Sequence, residues 1–262
     1  MSRNDDTEQT DMTLQRYLIT IEYDGSGLVG WQRQDNGPSV QEYLEEAAAK
    51  LCNQPTAIQG SGRTDAGVHA HAQAAHLDVP ASLSARSVML GLNSWLQTDQ
   101  VSVLSAQPVH ADFNARFDAV KRRYWYRILD RATPSALDRN RVWHIRTPLD
   151  AEAMAQAASY LVGRHDFTSF RASLCQANSP VRTLDRLDIM RAGDEIHLFA
   201  EARSFLHHQI RNFAGSLVQV GNGKWRPEKI KQILEAKDRS AAGPTAPPQG
   251  LYLMHIDYQN LD

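Results

Sequence analysis

The chain has 262 residues, 42% hydrophobic and 22% charged, with a formal net charge of −2; that length favours two ordinary domains over one large one, and the composition excludes a collagen-like protein. No apolar run approaches the ~20 residues of a membrane span, and two cysteines, Cys52 and Cys175, are too few for a disulfide scaffold, so a reducing compartment is expected. Residues 1–15 (MSRNDDTEQTDMTLQ) are polar and acidic without a signal-peptide core, and read as a disordered tail of a cytoplasmic protein.

Residues 17–23 (YLITIEY) alternate as a half-buried strand. Ser39 and Glu42 have capping-box spacing, and Val40, Leu44, Ala47, Ala48 and Leu51 follow at helical intervals. Strands are predicted at 56–59 and 73–79, a helix at 84–96 and a strand at 101–105, giving β-α-β-β-α-β, the ferredoxin-like order. The second half repeats that order: a long strand at 118–129, a helix at 151–161, strands at 183–190 and 195–202, helices at 206–220 and 227–236, and a last strand at 251–258. The reading is an α+β fold of two ferredoxin-like, RRM-like halves, 16–110 and 111–262, whose sheets lie side by side as a central antiparallel sheet with a cleft between them. Charge is uneven. Residues 16–110 carry five Lys/Arg against nine acids, 111–150 nine against five, and 151–240 thirteen against ten. A polyanion is therefore expected mainly on the second half.

Gly25-Ser26-Gly27-Leu28-Val29-Gly30 follows a strand in the G-x-G-x-x-G pattern of dinucleotide sites, but the helix that should open on the last glycine is replaced by eight further residues, Trp31–Pro38. A loop carrying Trp31 and Arg33 is the better reading. Within GSGRTDAGVH (60–69), Asp65 has Arg63 two residues before it. An adjacent guanidinium lowers a carboxyl pKa by roughly 1–3 units and orients it, which suits a nucleophile rather than an acid. His69 and His71 would share one face of a strand but lack a third metal ligand. His207 and His208 are adjacent on a predicted helix and so point apart, a poor chelate; no metal site is expected. In KRRYWYR (121–127), alternation puts Arg122, Tyr124 and Tyr126 on one face and Lys121, Arg123, Trp125 and Arg127 on the other. Aromatic and guanidinium groups so mixed suit an exposed base and its phosphates, or equally an edge with ordinary cross-strand pairs. Residues 204–217 form an amphipathic helix with Arg211 beside its apolar stripe, able to pair with a carboxylate of the other half.

Together, GRTDAGVHA, RRYWYRIL, HDFTSF, FLHHQIRNFAGSLVQVG and GLYL, in this order from Tyr17 to Tyr258, resemble the tRNA pseudouridine synthase A family. The resemblance implies an isomerase acting on uridines 38, 39 and 40 of the tRNA anticodon stem-loop, as a homodimer without metal or organic cofactor. It places the catalytic nucleophile on Asp65, its flanking arginines on Arg63 and Arg211, and the tyrosine that contacts the target base on Tyr124; Arg122 and Arg123 are expected on phosphates. Conversion of uridine to pseudouridine breaks the N1–C1′ bond and joins C5 to C1′, with no outside atom needed. The nucleotide must leave its stem to reach the cleft. Asp65 then attacks C1′, forms a glycal or adds to C6, among which the sequence does not choose. Two other readings are a non-catalytic RNA-binding protein of two RRM-like sheets, which leaves Arg63, Asp65 and Arg211 without a task, and a nucleotide-dependent oxidoreductase based on Gly25–Gly30.

Overall fold

Alternating burial organises the first strand, β1 (Leu14–Tyr23), whose Ile19 and Ile21 are fully buried. A computed structural model describes residues 13–173, 175–259 and 261. Most of the expected acidic tail, residues 1–12, lies outside the described residues. The strand begins at Leu14 rather than Tyr17, because Arg16 forms a two-pronged pair with Asp78 at 2.8 and 2.7 Å on the neighbouring strand.

The order continues α1 (Val40–Cys52), β2 (Gln59–Gly60), β3 (His69–Pro80), α2 (Ala85–Trp95), β4 (Val101–Val109), β5 (Ala119–Asp130), β6 (Trp143–Ile145), α3 (Ala151–Ser159), β7 (Gly163–Asp166), β8 (Val181–Ala192), β9 (Glu195–Ala202), α4 (Gln209–Gly221), α5 (Glu228–Ala236) and β10 (Leu251–Tyr258). Ser39 caps α1, its hydroxyl accepting from the Glu42 N–H at 3.2 Å, as the spacing predicts. Ten strands make one sheet in the order β4-β1-β3-β10-β5-β9-β8-β7, with β2 on β3 and β6 on β5. Each half thus runs last-first-third-second, the order of a ferredoxin-like unit: β4-β1-β3-β2 and β10-β5-β9-β8. The sheet is mostly antiparallel, yet the seam is parallel and short, pairing only Tyr252 with His69 and Leu253 with Ala70. β2 meets its expected range, 56–59, only at Gln59, β3 and β4 extend beyond theirs, and β6 and β7 have no counterpart in the sequence reading.

Two hydrophobic clusters lie on either side of the seam. The first gathers β1, α1, β3, α2 and β4 around Ile19, Leu44 and Leu77; the second packs α3, α4 and α5 on β5, β8 and β9 around Tyr126, Met154 and Phe213. Residues cross over between them: Leu253 and Ile256 of β10 join the first, and Val68 joins the second. The seam is therefore packed from both sides, and the loops that leave it are held at fixed distances.

Candidate active site

Three pieces converge at the seam: the loop before β3, the loop after β1, and the turn that opens α4. The loop before β3 is pinned from several directions. Ser61 Oγ donates to Gln73 Oε1 at 3.0 Å, Gln73 Nε2 donates to the Gly62 carbonyl at 3.2 Å, and Thr64 Oγ1 shares a 2.7 Å hydrogen bond with the buried Tyr23 hydroxyl. The Asp65 carbonyl accepts from the Val68 N–H at 3.1 Å, closing the turn. The glycines of 25–30 explain themselves here. Gly30 has φ +106°, bridges Asp65, and would drive a Cβ into the Thr64 carbonyl; its helix, α1, starts only at Val40. Gly25 and Gly30 permit close backbone packing against Val68 and Thr64 of the Asp65 loop rather than forming a pyrophosphate turn.

From the other half, Arg211 Nη1 donates to Asp65 Oδ2 at 2.9 Å, while its Nε donates to the Ala246 carbonyl at 2.8 Å. The Pro/Gly-rich segment 240–250 is thus the brace that orients Arg211; Gly215 of α4 lets the Pro244 carbonyl come into contact with the helix. Sequence places His207 and His208 within the helix, pointing apart, and the structure differs. The helix begins at Gln209, whose Oε1 accepts from the Leu206 N–H at 2.7 Å, and His208 precedes it with φ 62°. Both rings therefore turn to the same carboxylate: His207 Nε2 is 3.1 Å from Oδ1, His208 Nε2 is 3.2 Å from Oδ2, and the ring centroids are 4.0 Å apart. Histidine is among the few non-glycine residues enriched in the left-handed region, but an unbroken apolar stripe through Leu206 and Ile210 conceals the break from a periodicity reading.

Arg63 behaves differently from expectation. It lines the cleft and is exposed, and among the described residues it makes no hydrogen bond or ion pair with Asp65. The second guanidinium anticipated beside Asp65 is replaced by two imidazoles. Burial alone would raise the Asp65 pKa, but hydrogen bonds and charge from His208 and Arg211 outweigh it and hold the carboxyl at about 2. Asp65, His207 and His208 each offer one ligand atom within 4.8 Å of the others. A cation there would meet the Arg211 guanidinium on one of its own oxygens, so the three fit a hydrogen-bonded carboxylate better than a metal centre.

The floor comes from β5. Tyr124 lines the cleft, packed edge-on against Phe205 with centroids 5.2 Å apart, and burial pushes its hydroxyl up to about 12 despite the nearby Arg122 cation. Arg122 also faces the cleft, but its Nη1 donates to the Arg203 carbonyl at 2.6 Å and its Nη2 to the Ser61 and Arg116 carbonyls at 2.8 and 2.9 Å. It laces three loops together. Arg123 lies on the opposite face, donating to Asp257 Oδ2 at 2.7 Å, and does not line the cleft. His69 is likewise structural: its Nδ1 accepts from the Gly25 N–H at 3.1 Å and its Nε2 lies 3.0 Å from the Asn140 carbonyl. Exposed Arg116 lines the cleft and stacks on the 69% exposed Phe117, an aromatic-cation pair that sequence reading passed over. The cleft holds about 1210 Å³, enough for a nucleotide and its neighbours.

A carboxylate held ionised by Arg211 and His208 and touched by His207, above a half-buried tyrosine and beside exposed arginines, can act on a ribose or a base. A family model described as tRNA pseudouridine synthase matches residues 19–118 and 157–259. The chain belongs to the tRNA pseudouridine synthase family. As a member it is an isomerase. It is similar to tRNA pseudouridine synthase A of Rhodospirillum rubrum, 56% identical over 243 residues that cover 93% of this chain and 87% of the relative. It is similar also to the protein of that name from Sinorhizobium fredii, 53% identical over 245 residues covering 93% and 99% of the two chains. That of Maricaulis maris is 54% identical over 243 residues, covering 93% and 98%. The matched segments of the synthase family model include Asp65, Tyr124 is between them, and His207, His208 and Arg211 fall in the second.

Proposed function

We propose that this chain isomerises uridines 38, 39 and 40 of the tRNA anticodon stem-loop to pseudouridine, with Asp65 as nucleophile acting on a nucleotide flipped out of the stem. The observation that carries the reading is the Asp65 carboxylate, which meets donors from α4 and its N-terminal turn across the seam and opens on the cleft. An ionised carboxylate accepts hydrogen bonds and donates none, so Asp65 serves as nucleophile rather than as acid. Arg211 and His208 fix its direction. Tyr124 and Phe205 offer ring surfaces for an extruded uracil, a contact worth ~1–3 kcal/mol per stacked base. Arg63, Arg116 and Arg182 line the same cleft and supply positive charge to the flanking phosphates. Arg122 acts by holding the loops together, and Arg123, away from the cleft, takes no part in binding. The two halves, 16–110 and 111–262, serve as the two walls of the site, and the protein works in the cytoplasm as a homodimer.

Incubation with tRNA tritiated at uracil C5 tests the reading, because that hydrogen is released only when C5 joins C1′. Release is expected from stem-loops carrying uridine at 38, 39 or 40 and is lost when all three are changed to cytidine. A chain that binds the stem-loop without releasing tritium would be a binding protein instead. Light scattering giving the mass of one chain would remove the dimer.

A further inference from the structure

Isomerisation poses a proton problem that Asp65 alone does not solve. Once C5 has joined C1′, C5 still carries its hydrogen. That hydrogen leaves as a proton, its C–H electron pair forms the C5=C6 double bond, and N1 gains a proton, so the two transfers balance. The arginines of the cleft are permanent cations without a lone pair. Burial keeps the Tyr124 hydroxyl protonated. The clamp that keeps Asp65 anionic also makes it a weak base, since proton acceptance follows basicity. Of the cleft's remaining titratable side chains among the described residues, Cys175 makes no described contact with Asp65, whereas both imidazoles touch it.

The two histidines are not equivalent. His208 shares Oδ2 with Arg211 and sits in left-handed backbone with no side-chain cap, a strained conformation that neighbouring structure must hold. It is an orienting group. His207 alone meets Oδ1, and its side chain is 44% exposed against 27% for His208. Because a carboxylate only accepts, Nε2 of His207 is the donor, which leaves Nδ1 as the lone-pair nitrogen of the neutral ring. Among the described residues no partner takes up that Nδ1.

We propose that His207 is the proton carrier of the isomerisation: beside the less encumbered oxygen of Asp65, it accepts the C5 proton and returns a proton to N1, while His208 and Arg211 position the carboxylate. The inference rests on the reading of this chain as a uridine isomerase with Asp65 as nucleophile.

Stem-loop RNA carrying deuterium at C5 of the target uridine tests it with the full chain and two variants, His207→Gln, which keeps a donor for Asp65, and His207→Ala. Removing a general base is expected to lower kcat roughly 100-fold with KM within about twofold, and to expose a primary C5 isotope effect as proton removal becomes limiting. Added imidazole is expected to restore part of the rate of His207→Ala. Turnover without a C5 isotope effect in either variant overturns the proposal, whether the rate is kept or lost, since a loss of that kind is structural. If the parent chain itself releases no C5 hydrogen, the isomerase reading fails, and it fails independently of His207.

Discussion

Asp65 and Asp130 are both carboxylates held by an arginine, and they are saturated to different degrees. Asp130 accepts both prongs of the Arg191 fork, at 2.9 and 2.7 Å, and the Leu149 N–H at 2.9 Å, with its side chain only 1% exposed. Arg191 closes the arrangement by donating to the Leu149 carbonyl at 2.6 Å. Asp65 receives one prong of Arg211, whose other polar contact goes to the Ala246 backbone, and the two imidazoles supply the rest at 3.1 and 3.2 Å, with 24% of the side chain open to the cleft. A fork bound face to face makes a structural tie. A fork anchored on backbone that lends one N–H to an exposed carboxylate makes an oriented, reactive one.

Substituting each acid separates the two. Asp65→Asn removes the attacking oxygen and is expected to reduce turnover roughly 10,000-fold or more, with tRNA binding within a few fold and a lower melting temperature near neutral pH. Asp130→Asn is expected to leave turnover per folded molecule near the parent value while lowering stability by about 2–3 kcal/mol, less than a fully buried pair because Arg191 remains partly in water. Filter binding, tritium release and thermal melts read all three quantities, and an active Asp65→Asn protein would remove that residue from the chemistry. Arg211→Lys comes next. Lysine keeps the charge but cannot hold the Ala246 carbonyl and Asp65 together through a planar fork. A loss in kcat of roughly 100-fold with little change in KM is expected, in the range for removing one oriented donor; a parent-like rate would mean that charge alone suffices.

Two arginines given different tasks by the sequence, Arg63 beside Asp65 and Arg123 on phosphates, also differ in their surroundings. Arg63 lines the cleft, exposed and without a described acidic partner, so Arg63→Ala is expected to weaken tRNA binding several-fold and reduce the salt slope by about one unit. Arg123 is held by Asp257 on the far face, and Arg123→Ala is expected to leave both unchanged. Equal effects would place RNA across both faces of β5.

How much of this was legible follows from which forces are local. The period of β1 and the stripe of α1 are written in neighbouring residues, and so is the choice of face at Arg122 and Tyr124. Strand 3 is harder: HAHAQAAH has few strand-favouring side chains, and it is strand because β1 pairs along it for most of its length. The partners of Asp65 were legible where the motif supplies them at long range, as with Arg211. The Arg63–Asp65 contact expected from their spacing is absent among the described residues because a side chain two residues away on a turn need not face the same way. The convergence of His207 and His208 depends on one left-handed residue, which no periodic pattern encodes.

The smallest expected effect lies in the acid response. Both carboxyls titrate below their ordinary value near 3.9 in the folded chain, Asp65 at about 2, because their partners favour the ionised form more strongly than burial opposes it. A depressed folded pKa contributes stability that is present above about pH 4 and disappears as pH falls toward 2. Melting temperatures of the parent, Asp65→Asn and Asp130→Asn, followed from pH 5 to pH 2.5, should therefore converge on acidification, since an amide has no proton to gain. The part of each gap that closes is set by how far the carboxyl pKa is depressed, and since that of Asp65 falls to about 2, Asp65→Asn should close much of its gap. Asp65 remains anionic throughout the neutral range, so a fall in kcat between pH 7 and pH 5 belongs to another group. A gap between parent and Asp65→Asn that stayed constant down to pH 2.5 would mean that the Arg211 and His208 contacts do not favour the ionised carboxylate, and the contrast with Asp130 would have to rest on exposure alone.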